Sequence, residues 1–183
     1  SFDEVTQGII KAIDDLLESP VNASMIAGAI ANEATIKRIE ELSQLGKPIL
    51  RESQSCLDSE NARTATPLVL QLSVSDEAIY GQEHFGPISF MVSVESFKKG
   101  VKIASTLAKQ QGAITAAVYE TNQQNIDCAV SSFGQAGVNL SINLMGDIYV
   151  NQSAAFSDFH VTGANPAGNA CFADKAFVAN RFS

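Results

Sequence analysis

The sequence predicts an α/β protein built on a parallel sheet, and three observations carry that reading. From Ile88 onward, apolar patterns alternate between strand-like and helix-like periods in the order β-α-β-α-β, the signature of crossover connections between parallel strands. The strand candidates are short and nearly continuous in apolar residues, as strands covered on both faces are. The helix candidates instead repeat their apolar residues at steps of three and four.

Taken in order, Phe2, Val5, Ile9, Ile13 and Leu16 share one face of a helix that ends near Pro20. A second helical pattern runs through Ile26, Ile30, Ile36, Ile39, Leu42 and Leu45. Gly46 suits its left-handed cap, and Pro48 blocks continuation, so Ile49-Leu50 reads as a strand. Residues 53–65 are polar and aperiodic, a long loop. Pro67 opens the apolar run Leu68 to Leu72, a buried strand, and Ile88 to Val94 is a second such run, expected to be covered on both faces. Helical spacing returns at Phe97, Val101, Ala104 and Leu107. A strand follows from Ile114 to Tyr119, a helix from Asn122 to Phe133, a strand from Asp147 to Val150 and a last one at Phe177 to Ala179.

Composition narrows the function classes. The 183 residues carry 12 Lys and Arg against 20 Asp and Glu, a formal net charge of -8, so no basic majority is available to neutralise phosphates and a nucleic-acid partner is not expected. No apolar run approaches the roughly 18 residues of a membrane span, and the opening residues lack the layout of a signal peptide. Cys56, Cys128 and Cys171 are odd in number and widely spaced, which argues against a disulfide framework or a zinc site and for a reducing, cytoplasmic setting. Cys128 reads as helix packing, and no metal is expected. A single domain over residues 1–183 is the default.

Few side chains stand out as chemical. In Glu83-His84-Phe85-Gly86-Pro87, a carboxylate beside a Gly-Pro turn can accept two hydrogen bonds from a vicinal diol, and the aromatic can pack on a flat ring. On these five residues alone, a solvated turn glutamate and a core phenylalanine explain the motif more simply. His84 and His160 are the two imidazoles. Cys171 and His160 could form a nucleophile pair for a hydrolase, but buried packing is the stronger reading of a cysteine, and neither an oxyanion feature nor a third residue accompanies them. Gly163 to Gly168 lacks the Lys-Ser/Thr end of a phosphate loop. Asp14-Asp15, Glu40-Glu41 and Lys98-Lys99 read as solvated helix faces.

Taken in order, three blocks resemble the C-terminal part of the aldehyde dehydrogenase catalytic domain, a three-layer αβα fold around a parallel sheet. Glu83 to Pro87 is similar to that family's Glu-x-Phe-Gly-Pro. Ser96 to Tyr119 resembles its helix followed by glycine and a small-residue strand. Gly146 to Asn151 is similar to its Gly-x-aliphatic-aromatic-Val-Asn. The two leading helices also fall where the family has them, so the resemblance covers nearly the whole chain. Val150 to His160, Thr162 to Ala167 and Ala176 to Phe182 resemble the family's N-type phenylacetic acid degradation branch, and the Phe-Gly-Gly and Ser-Gly pattern usual in this region is absent.

The resemblance implies oxidation of a small aldehyde to an acid through a thiohemiacetal, with NAD or NADP as cofactor. It implies that Glu83 holds the nicotinamide ribose, that Phe85 packs near the nicotinamide, and that Phe156 and Phe159 lie towards the aldehyde entrance. It places Phe177 to Ala179 in an intersubunit sheet of a homo-oligomer. The family's nucleophilic cysteine, its glutamate base and its cofactor domain all precede the region matched by Ser1, and none of Cys56, Cys128 and Cys171 falls in the nucleophile position. The chain is therefore expected to be a C-terminal piece that neither binds cofactor tightly nor turns over aldehyde by itself, with exposed apolar surface where the remainder docks. The alternative is a binding or assembly module that keeps half of the fold without chemistry.

Overall fold

The structure is a computed structural model that describes residues 1–19, 23, 27, 29–55, 63–113 and 115–143. The expected strands at 147–150 and 177–179, the Gly146 to Asn151 block, Cys56, Phe156, Phe159, His160 and Cys171 lie outside the described residues. The chain divides into two units, Ser1–Ser96 and Phe97–Ser183.

In the first unit, α1 (Phe2–Leu17) opens on a reciprocal cap between Ser1 and Glu4. Its buried residue is Thr6, whereas Val5, Ile9 and Leu16 are 57%, 40% and 52% exposed. The apolar face read from the sequence is thus rotated away from the packed one, leaving an apolar stripe open on α1. The second helical pattern is interrupted at residues 29–32: Ala23 and Ala27 are helical, and α2 covers Glu33–Ser43, starting where the Asn32 side chain accepts from the Ala34 amide at 2.9 Å and caps the helix. Ile30 lies before the helix but still packs against the core beneath it.

Strands β1 (Ile49–Arg51), β2 (Leu68–Leu72) and β3 (Ile88–Val92) form one sheet in that order. The pair β2 and β3 is parallel, from Leu68 opposite Ile88 to Leu72 opposite Val92. The pair β1 and β2 is antiparallel, with a register shift between Ile49 and Arg51. Leu68, Val69 and Leu70 are 0% exposed, so both faces of β2 are covered. Ile39 and Leu42 of α2 pack on Leu68 and Leu70, with Ile79, Ile88 and Phe90 around them. The strand expected to be covered on both faces, β3, is not so covered among the described residues: Ile88 and Phe90 pack on the core shared with α2, whereas Ser89 on the other face is exposed. The one-turn helix α3 (Glu77–Tyr80), which the sequence did not signal, joins β2 to β3.

Among its described residues the second unit contains α4 (Phe97–Gln111), β4 (Thr115–Val118), α5 (Gln123–Ala136) and β5 (Asn139–Ile142). β4 and β5 are parallel, with Thr115 opposite Asn139 and Val118 opposite Ile142, so β4-α5-β5 is a crossover unit. Its core joins Val101 and Ala108 of α4, Ala129 and Phe133 of α5, and Val118 and Val138. Cys128 packs against this cluster as a free thiol, the packing role expected of it. Asn122 caps α5 by accepting from Gln124 and Asn125, and Gly137 ends it at φ 75°. Among the described residues the order β3-α4-β4-α5-β5 ends on Asn139–Ile142, a strand that sequence reading missed, and the strand expected at 147–150 lies outside them.

Candidate functional site

The motif residues Glu83 to Pro87 occupy the loop that enters β3, and bonds and contacts to α2, α3, β2 and β3 fix its path. Arg38 on α2 donates from Nη1 to the Phe85 carbonyl at 2.6 Å. His84 Nε2 bonds the Ile79 carbonyl of α3 at 2.8 Å, and its ring meets Phe90 edge-on at 5.3 Å. A carbonyl can only accept, so this nitrogen carries the proton and the tautomer is fixed. Gly86 adopts φ 142°, and a Cβ there would stand 2.8 Å from Thr35 Cγ2 on α2, so both conformation and space require glycine. The Pro87 carbonyl accepts from the Leu68 amide at 2.8 Å, joining the loop to the parallel ladder.

Held this way, the loop turns two side chains outward. Glu83 is exposed and Phe85 is 71% exposed, so Phe85 is not a core residue. Glu83 borders a cavity of about 350 Å³ with Arg38, Glu41, Leu42, Ile79 and His84. An exposed carboxylate and an open aromatic face beside a cleft can accept hydrogen bonds from hydroxyls and stack on a planar group. Of the sequence-predicted residues, the structure brings together Glu83, His84 and Phe85. It adds Arg38 and Thr35, whose partners lie far along the chain and left no local signal.

A second cavity, of about 310 Å³, lies past the carboxyl ends of β2 and β3, where ligands commonly bind in parallel sheets. Its charged groups are spent on each other. Lys47 Nζ lies 2.6 Å from Asp76 Oδ1, and Asp76 Oδ2 accepts from the Ser73 amide and hydroxyl at 2.8 Å. The Lys47 hydrogen bond first, and Ser73 after it, pull the Asp76 carboxyl down to about 2.

At the carboxyl end of β4, Glu120 accepts from the Thr121 and Asn122 amides at 2.7 and 3.0 Å and from Asn125 Nδ2 at 2.7 Å. These bonds, the Asn122 amide foremost, hold its carboxyl below the usual range. Asn143, at φ 51°, donates to the Glu120 carbonyl and accepts from its amide, clasping the ends of β4 and β5.

The helix-face pairs are mostly ion-paired surface groups. Asp15 meets Lys11, Asp14 meets Arg51, and Glu41 meets Lys37. Lys99 departs from the solvated reading, being half-buried and engaged. Among the described residues, no cluster of three His, Cys, Asp or Glu could hold a metal, and no helix is long and apolar enough to cross a membrane.

Residues 1–164 match the aldehyde dehydrogenase family. The fold is similar to the crystal structure of an NAD-dependent aldehyde dehydrogenase from Burkholderia multivorans, with a TM-score of 0.79 and 47% identity over 99% of this chain. The chain spans about a third of that enzyme, 33% of its length. No curated protein matches the chain.

Proposed function

The chain belongs to the aldehyde dehydrogenase family, and on that premise we propose that it supplies the C-terminal part of the catalytic domain of an NAD-dependent enzyme that oxidises an aldehyde to an acid. The observation that carries this reading is the Glu83 to Pro87 loop, fixed at its backbone yet presenting Glu83 and Phe85 outward beside a cleft. Those residues fit a nicotinamide riboside: the carboxylate oxygens can accept from both ribose hydroxyls, and the Phe85 ring offers an apolar face to a planar base. When bound, NAD supplies the hydride acceptor. The chain's own part is to orient the ribose through Glu83 and to exclude water through Phe85.

The finer reading is phenylacetic acid catabolism in the cytoplasm, by a homo-oligomer, with Phe156 and Phe159 towards the aldehyde entrance. It is supported by the segments Val150 to His160 and Thr162 to Ala167. In the full-length protein, Glu83→Gln should lower kcat/KM for NAD about tenfold, about 1.4 kcal/mol of transition-state stabilisation. Unchanged steady-state kinetics would remove Glu83 from the site. Residues 1–183 alone should form no NADH from aldehyde, because the nucleophile of this reading lies outside them; aldehyde-dependent NADH formation by that chain would sink this part. A second reading, an assembly module without chemistry, draws on the open apolar stripe of α1. Aldehyde oxidation by the full-length protein would exclude it.

A further inference from the structure

We propose that Arg38 and His84 are positioning residues that fix the backbone at residues 84 and 85, next to Glu83, so that the Glu83 carboxylate meets the ribose hydroxyls already oriented. The proposal rests on the reading of Glu83 given above.

Arg38 has carboxylates within its own surroundings, since Glu41 and Glu83 border the same cavity. Its 2.6 Å hydrogen bond goes instead to a main-chain carbonyl 47 residues away. A charge-assisted bond to a carbonyl constrains the path of the chain and is indifferent to the side chain at that position. His84 acts from within the loop. Its Nε2–H donates to the last turn of α3, and its ring rests edge-on against Phe90 of β3. Residues 84 and 85 are therefore tied to three different elements. Gly86 against Thr35 and the Pro87 carbonyl on Leu68 close the far end. What stays free is the pair of exposed side chains that point outward. A loop ordered before the ligand arrives loses less freedom on binding, which raises affinity without any added contact.

The test uses the full-length protein and NAD. Calorimetric titration gives the Kd, and hydrogen exchange reads the amides of residues 83–86 with no NAD present. Arg38→Met should accelerate exchange at those amides and raise the NAD Kd about tenfold, leaving the KM for aldehyde unchanged, and Arg38→Lys should recover part of the loss. His84→Phe, which keeps the ring and deletes the donor, should act in the same direction, and it decides the matter if Arg38→Met does not fold. In a Glu83→Gln background, either change should alter the Kd less than twofold, because both act through Glu83. Equal losses with and without Glu83 would mean that the two residues act on NAD by a route other than Glu83 and overturn the proposal. An unchanged Kd in both Arg38→Met and His84→Phe would overturn it while leaving the role of Glu83 standing. An unchanged Kd in Glu83→Gln alone would remove that role, and the proposal with it.

Discussion

Two parallel strand pairs in this chain are built to different standards. In β2, Leu68, Val69 and Leu70 are 0% exposed, flanked by β1 and β3 and covered by α2. In β4 and β5, Ala117 and Ile142 are exposed, and the core lies between one face and the helices α4 and α5. The first arrangement fixes a strand so firmly that the loop bonded to its amino end inherits its position. The second leaves its strands to be secured by polar clasps such as Glu120 with Asn143.

The largest effect that could break this contrast is at the centre of β2. Leu70→Ala should cost about 3 to 4 kcal/mol, as a buried leucine truncation that leaves a cavity does. Ile142→Ala, at a 38% exposed position, should cost under about 1 kcal/mol. Urea unfolding of both variants checks the pair, and equal losses would erase the distinction.

Glycines sharpen it next. Gly86→Ala meets both a positive φ and the Thr35 methyl, and about 2 to 3 kcal/mol is expected from strain and overlap. Gly137, at φ 75° with nothing within 4 Å of the place an added methyl would take, should cost about 1 kcal/mol on change to alanine. The difference between the two variants in thermal unfolding reads the added cost of the φ 142° backbone and of crowding against Thr35 together.

The smallest effects are acid titrations. Asp76 titrates at about 2 in the folded chain against an ordinary 3.8. Its stabilising contribution is therefore complete above pH 4 and is lost as the pH falls towards 2. Glu120 is lowered in the same sense from 4.5. Asp76→Asn should flatten the pH dependence of unfolding below pH 4, and Glu120→Gln should flatten the part that begins at higher pH. A slope unchanged in either variant would assign that acid sensitivity to other carboxylates.

What the sequence made legible follows the same division. An apolar run such as Leu68 to Leu72 announces a buried strand, and the three-and-four spacing of Phe97 to Leu107 announces a helix. Asn139-Leu-Ser-Ile142 is too short and too polar to stand out, because half of its surface faces away from the core. Ile30 extended the apparent second helix, since periodicity does not show that Asn32 caps it. At the site, Glu83 and Phe85 were visible as a local motif. Arg38 was not, because its one informative bond joins positions 47 residues apart, and no spacing rule spans that distance.

β1, the outer strand of the first sheet among the described residues, has a consequence of its own. β1 is three residues long, irregular in register between Ile49 and Arg51, and its arginine turns inward onto Asp14, Thr66 and the Pro67 carbonyl. A strand so brief and bent is a poor template for another chain to extend, so this margin of the sheet resists the edge-to-edge pairing that seeds aggregates.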